Sequence, residues 1–311
     1  MSREVTLSPY NEDWTRLFKK EAIRIKKALG KNCIEIHHIG STAIPGIDAK
    51  PIIDMLPVVK NILSVKDSAL DALGYEGRGE LGMPFRHYFS NKTHHIHLWE
   101  DGVDEIQKQL LFRDYLRSHT LEREAYGNLK RNLSKKFHNN RALYTESKSS
   151  FIQEILKKAE FSGFEFVNGL VQKDWDTYHR IRQEQIFSHH PDVTYDPNHE
   201  TLTHPNHFHF ILRKLENIVG VCHVEFLDED RAALRPFAID APYQKRGYGT
   251  YLLSLVEKWI QYQGKSFIHV HAYSPALNFY KKLGYVPHPF DEKKEKMSEG
   301  CIDLRKTLNR M

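Results

Sequence analysis

Cysteine is scarce in this chain: Cys33, Cys222 and Cys301 are the three among 311 residues, far apart and in no spacing that ligates a metal. An odd, scattered set argues against a disulfide framework, and a reducing cytoplasm is the simplest setting. No run is long and apolar enough to cross a bilayer, so a membrane partner is not expected. Residues 1–6 lack the apolar core of a secretory signal. Repeats and low-complexity tracts are missing as well. Charge of one sign is only slightly in excess, with a net of +5. Residues 1–160 hold 26 basic and 21 acidic side chains, and residues 161–311 hold 19 of each. Much of the excess lies between Arg113 and Lys158. It has no interleaved aromatics on which bases would stack, so nucleic acid is not an expected partner. A solvated helix face is its plainest reading, although a mildly basic first half also suits a nucleotide or another anion.

The content that remains is that of an ordinary soluble protein: 40% hydrophobic and 12% aromatic. A length of 311 residues exceeds one ordinary core and predicts two domains. Residues 150–159 carry a helical stripe of Phe151, Ile152, Ile155 and Leu156, which ends near Gly163. A strand-like run follows at 164–170. The boundary is therefore expected at 160/161, giving domains 1–160 and 161–311.

In the first half the pattern predicts a helix over 11–29 stopped by Gly30, strands over 33–39 and 51–59, and an alternating strand within 88–99. Helices follow over 104–118 and 121–137. The second half reads as a strand, a helix over 174–185 and a His/Pro-rich loop. Strands follow over 207–214, 218–227 and 232–240, then a helix over 250–263, a strand over 266–272, a helix over 275–283 and a strand over 301–305. Both halves are α+β (α/β), the second built on a twisted mixed, mostly antiparallel sheet.

Gln244-Lys245-Arg246-Gly247-Tyr248-Gly249 stands between the strand to Asp240 and the helix from Thr250. Its glycines let backbone N–H groups turn inward, and the helix start adds a positive dipole end, so the loop suits a phosphate. It resembles the pyrophosphate loop of the GNAT acyltransferases. A second segment, from Ser274 through Ala276, Tyr280 and Gly284 to Val286, resembles the GNAT helix that ends in Gly-Phe/Tyr. The resemblance covers roughly residues 164–308.

That resemblance implies acetyl-CoA as cofactor and an amine, small molecule or peptide, as acceptor. It places the backbone of Phe237, Ala238 and Ile239 beside the pantetheine arm, where two strands splay. The pyrophosphate falls to the amides of Arg246, Gly247, Tyr248, Gly249 and Thr250, with Gln244, Lys245 and Arg246 adding polar side chains. Pro236, lacking an N–H, suits a bulge on that strand. Tyr280 matches the acid near the thioester sulfur, with packing on the sheet as its other reading. Glu225 matches a water-mediated base, with a solvent-facing ion pair as its other reading. Many relatives place Asn where this chain has Tyr273, and Ser274 is the substitute. The histidines at 189, 190, 199, 204, 207 and 209 fit no closed zinc pattern, so they are expected to border the acceptor pocket or lie on the surface.

His38-Ile39-Gly40-Ser41-Thr42-Ala43-Ile44-Pro45-Gly46 with Lys50-Pro51-Ile52-Ile53-Asp54 resembles the GrpB family. So do His95-Ile96-His97, Phe112-Arg113-Asp114-Tyr115-Leu116, Tyr126, Lys130, Tyr144 and Lys148. The resemblance covers about residues 1–158 and implies a nucleotidyltransferase-like fold. Gly40, Ser41 and Lys50 would then meet a nucleotide, and Asp54 would ligate a divalent metal. Nucleotidyl transfer commonly pairs carboxylates around magnesium, whereas here the partner position is Leu56. His95 and His97 stand where a third carboxylate is expected, which favours a transition metal at Asp54, His95 and His97. Asp54 bonding the glycine turn is the structural alternative. Taken together the expectation is an acetyl-CoA-dependent N-acetyltransferase fused to a GrpB-like nucleotide- or ligand-binding domain. The alternatives are a non-catalytic CoA and nucleotide sensor, or a modifier of one small amine with both activities.

Overall fold

The computed structural model describes residues 4–190, 193–289 and 301–308. The chain divides into two compact units, the first holding residues up to Phe164 apart from Gly82–Pro84, the second the remainder.

In the first unit, α1 (Asp13–Leu29) buries Trp14, Glu21, Ile25 and Leu29 at helical spacing and stops at Gly30, whose φ is 59°. The strands are β1 (Cys33–Ile39), β2 (Ile53–Val59), β3 (Glu76–Gly77), β4 (Arg86–Ser90) and β5 (His94–Glu100), with the short helix α2 (Asp67–Asp71) before β3. They form one mixed sheet in the order β1-β2-β5-β4-β3. The β2–β5 pair is parallel and sets Asp54 opposite His95. β2 is a nearly continuous apolar run, buried throughout except at Asp54. Helices α3 (Asp104–Ser118), α4 (Thr120–Lys136), α5 (Arg141–Glu146) and α6 (Ser149–Lys158) follow. Leu116, Tyr126 and Ile155 from α3, α4 and α6 enclose Ile44 and Ile47 of the β1–β2 connection, with Phe151 against them. The turn after β1 is thereby clamped from the helical side.

The second unit contains β6 (Glu165–Val167), α7 (Gln172–Gln185), β7 (His207–Lys214), β8 (Asn217–Phe226), β9 (Arg231–Ile239) and α8 (Tyr248–Tyr262). It continues with β10 (Phe267–Ala272), α9 (Leu277–Lys282), β11 (Val286–Pro287) and β12 (Ile302–Thr307). The sheet order is β11-β12-β10-β9-β8-β7-β6, with β9–β10 parallel and the other pairs antiparallel. Tyr178 and Ile181 of α7 pack on Ile211, Val221 and Ala238. Trp259 of α8 packs on Phe208, Phe210 and Phe226. The two helices use alternate residues of β7, so they cover opposite faces. Gly220 lets α8 seat closely: a Cβ there would lie 2.6 Å from Ile239 Cδ1 and 3.0 Å from Leu252 Cδ2.

Two features of β9 matter for function. Its pairing with β10 runs from Arg231 to Leu234 and stops, so the strands part beyond Leu234 and Val270. Between Leu234 and Phe237 it has one residue more than β8 has opposite, a bulge that contains Pro236. The proline's missing N–H therefore leaves no ladder bond unmade.

Some elements differ from the sequence pattern. The helix after the glycine loop begins at Tyr248 rather than Thr250, so Gly249 lies inside its first turn. The segment expected as one helix over 275–283 is a 3-10 turn, Ser274–Ala276, followed by α9. Pro275 fits the first turn, where no N–H is needed. α2 and α5, of five and six residues, are too short to carry a readable period.

Candidate functional site

The gap between β9 and β10 opens into a cavity of about 500 Å³. Leu234, Arg235, Pro236 and Phe237 line it from β9, Val270 and His271 from β10, and Ala276 and Tyr280 from the α9 segment. Glu225, His207 and His223 also line it. Tyr280 is 6% exposed, and burial raises its pKa, so the phenol keeps its proton at neutral pH. Its ring packs at 5.1 Å from Phe279 and 5.3 Å from Tyr285.

Glu225 is held on one side. Its Oε2 accepts a 2.6 Å bond from Arg235, while Oε1 lies 3.7 Å from His207 Nε2. His207 Nδ1 in turn stands 2.7 Å from His223 Nε2. His209 lies beneath, its ring 4.3 Å from that of His223. Tyr178 donates its hydroxyl to His209 Nδ1 at 2.8 Å, and His209 Nε2 donates to the Thr201 carbonyl at 2.9 Å. His189, His190, His199 and His207 line the cavity, while His209 is a buried, satisfied core residue.

Burial, with Arg182 and His207 nearby, lowers the His209 pKa to about 4. An unfolded histidine titrates near 6.5. The folded form therefore resists the proton, and its stability is complete above about pH 6.5 and declines as pH falls toward the folded value. Between pH 7 and pH 5 this one group is expected to remove on the order of 2 kcal/mol. Urea denaturation of wild type and His209→Gln at both pH values checks it, since the variant is expected to lose less; equal losses would remove His209 as the cause.

The loop from Gln244 to Gly249 does not line the cavity. Lys245 (φ 59°) and Gly247 (φ 83°) both occupy left-handed backbone, and α8 starts immediately after. Left-handed residues ahead of a helix turn successive N–H groups to one side, a cradle for an anion. Gln244 ties the loop back, donating to the Ile239 carbonyl at 3.0 Å and to Gln185 Oε1 at 2.9 Å. Gln185 does line the cavity. Ala238 is buried under α7, and Ser274 is exposed beside Tyr273.

In the first unit, Asp54 Oδ1 lies 3.2 Å from His95 Nδ1 and 3.5 Å from His97 Nε2. One ligand atom from each lies within 4.8 Å of the others. Burial alone would raise the Asp54 pKa, but the hydrogen bonds and charge of His95 and His97 outweigh it and hold the carboxyl well below the usual range. Two imidazoles and one carboxylate suit a transition metal. They do not suit a magnesium pair, because the second carboxylate position is Leu56, fully buried in the core. Ser41 and Lys50 line a cavity of about 150 Å³ next to Asp54. Gly40 does not line it, but presses on the site: a Cβ there would stand 2.3 Å from Asp54 Oδ2.

The turn that carries these residues is anchored by α3. Arg113 donates to the His38 carbonyl at 3.0 Å and Arg117 to the Ala43 carbonyl at 2.8 Å. His38 lies under Phe18 with Nε2 3.0 Å from Thr42 Oγ1, and burial pushes its pKa down to about 4. Arg117 and Arg235 have no motif to mark them, since each acts through a partner distant in sequence or across a bulge, and Arg141, which lines the small cavity, lies on a helix too short to carry a period.

The family model described as GrpB protein matches residues 4–158. The glutamate-rich protein GrpB of Alkalihalophilus pseudofirmus is 35% identical over 166 residues, which are 50% of this chain and 95% of that protein. The chain belongs to the GrpB family. UPF0157 protein YqkA of Bacillus subtilis is 40% identical over 164 residues, 51% of this chain, and the match spans about half of YqkA (48%). The crystal structure of conserved protein GrpB from Enterococcus faecalis is 35% identical and covers 50% of this chain and 96% of that one, with a TM-score of 0.47. The acetyltransferase (GNAT) family model matches residues 175–285. The first unit is thus a GrpB domain and the second a GNAT acetyltransferase domain. Among the described residues, no helix is long and apolar enough to cross a membrane.

Proposed function

We propose that the GNAT domain transfers an acetyl group from acetyl-CoA to an amine. The observation that carries this reading is the parting of β9 and β10 beyond Leu234 and Val270, opening beside Tyr280 into a cavity of about 500 Å³. The residues suit the cofactor. The amides of the Lys245–Thr250 stretch would hold its pyrophosphate, and the free edge of Phe237–Ile239 would pair with its pantetheine amides. Bound acetyl-CoA supplies a thioester, whose C–S bond breaks as the amide C–N bond forms.

The chain's own groups handle the protons. The amine must be neutral to attack, and Glu225 accepts its proton directly or through water. Arg235 fixes Oε2, which leaves Oε1 for that task. Tyr280 donates a hydrogen bond to the departing sulfur. Burial holds this phenol above the ordinary value of about 10 while a thiol titrates at about 8.5, so full proton transfer is uphill and stabilisation of the developing charge is its role.

The test is thiol release from acetyl-CoA by the purified protein with a panel of small amines and peptide N-termini. Amine-dependent release above the hydrolysis background is the expected result. Acetyl-CoA binding without turnover on any amine would overturn transfer and favour a CoA sensor.

A further inference from the structure

The small cavity of the GrpB domain is ringed by cations that four separate segments bring together. Lys50 precedes β2, Lys130 lies on α4, Arg141 opens α5, and Lys148 precedes α6. Asp54 is the one carboxylate among the residues that line it. Among the described residues, Lys50, Arg141 and Lys148 have no ion-pair partner. Instead, two ammonium groups share one ring: Lys148 lies 4.3 Å and Lys50 4.8 Å from the centre of Tyr144. Lys130 is 1% exposed and donates to the Asp48 carbonyl at 2.5 Å, so it also fixes the loop that carries Lys50.

Like charges held this closely in a partly desolvated space oppose folding. The lysines register that cost. Burial first, then Lys148, lowers the Lys130 pKa to about 7, and burial first, then Lys50, lowers that of Lys148 to about 8. Structural cations would be expected to face carboxylates, and a solvated helix face would spread its charges apart. An anion of two or more charges relieves both the repulsion and the missing partners.

We infer that this cavity binds a phosphoryl group, with Lys50, Arg141 and Lys148 as its charged donors and the Ser41 and Thr145 hydroxyls beside them. A phosphoryl dianion matches several cations around one carboxylate better than a single carboxylate ligand does. The space of about 150 Å³ accepts a compact group rather than a whole nucleotide, so any attached organic part lies outside it. The inference does not depend on acetyl transfer in the other domain.

Calorimetric titration of the full chain with inorganic phosphate, pyrophosphate and ATP tests it. Lys148→Gln and Arg141→Gln are each expected to weaken binding at least about tenfold, while Lys19→Gln, on the exposed face of α1, leaves it unchanged. ATP binding at least about tenfold tighter than pyrophosphate assigns the phosphoryl group to a nucleotide; equal affinity assigns it to a simple phosphate compound. Without ligand, Lys148→Gln is expected to keep or raise the denaturation midpoint, because repulsion is removed. Binding unaltered in both cavity variants, or no binding of any probe up to about 10 mM, would overturn the site.

Discussion

Replacing Tyr280 with phenylalanine is expected to lower acetyl transfer by about 100-fold and to leave acetyl-CoA affinity within about twofold. The change removes one oxygen from a side chain whose ring is already held by Phe279 and Tyr285. Packing therefore survives, and the glycine loop and β9 edge proposed to hold acetyl-CoA are untouched. What disappears is a donor that burial keeps protonated. Charge grows on sulfur only as the C–S bond breaks, so the loss falls on kcat rather than on ground-state binding. Steady-state kinetics on the best amine, with acetyl-CoA affinity measured by calorimetry, separates the two. Equal turnover in wild type and variant would remove Tyr280 from the reaction and leave it as a packing residue.

The second large effect is on the GrpB domain. Gly40→Ala is expected to destabilise it by about 3 kcal/mol or more, from two separate causes. The backbone there has φ 68°, which an L side chain adopts with strain. The added methyl would also stand 2.3 Å from Asp54 Oδ2, well inside contact distance. Asp54 cannot simply yield, because His95 and His97 hold it from the other side. A double-mutant cycle with Asp54→Ala divides the causes. The collision vanishes when the carboxylate is gone, so coupling of about 1 kcal/mol or more is expected, and the remainder is backbone strain. Additive effects in urea denaturation would show that the methyl does not meet Asp54. The glycine after β1 thus serves the carboxylate on β2 as well as the turn.

Much of the framework was legible because its signals are local. The strand at Cys33–Ile39, the helix at Asp104–Ser118 and the strand at His207–Lys214 have the bounds that periodicity predicts. Gly30 ends α1 where the pattern ends. Pro236 marks the bulge because a missing N–H is a property of one residue. The pattern places the start of α8 two residues late because a glycine inside a first turn reads as loop. The short helix α5, which delivers Arg141, carries no legible period: its six residues bury Tyr144 and are too few for a repeating pattern.

The sequence by itself determined the mixed α+β class, the two families and the residue types available for chemistry. Those properties rest on local periodicity, on the backbone demands of glycine and proline, and on short motifs. Tertiary structure decided which of those residues meet. Parallel pairing of β2 with β5 sets Asp54 against His95, 41 positions away. The end of the β9–β10 ladder at Leu234 and Val270 creates the cavity beside Tyr280. Four segments converge to put Lys50, Lys130, Arg141 and Lys148 around one small space. The reason is physical: strand pairing and helix docking are fixed by burial summed over many distant contacts, which no window along the chain contains.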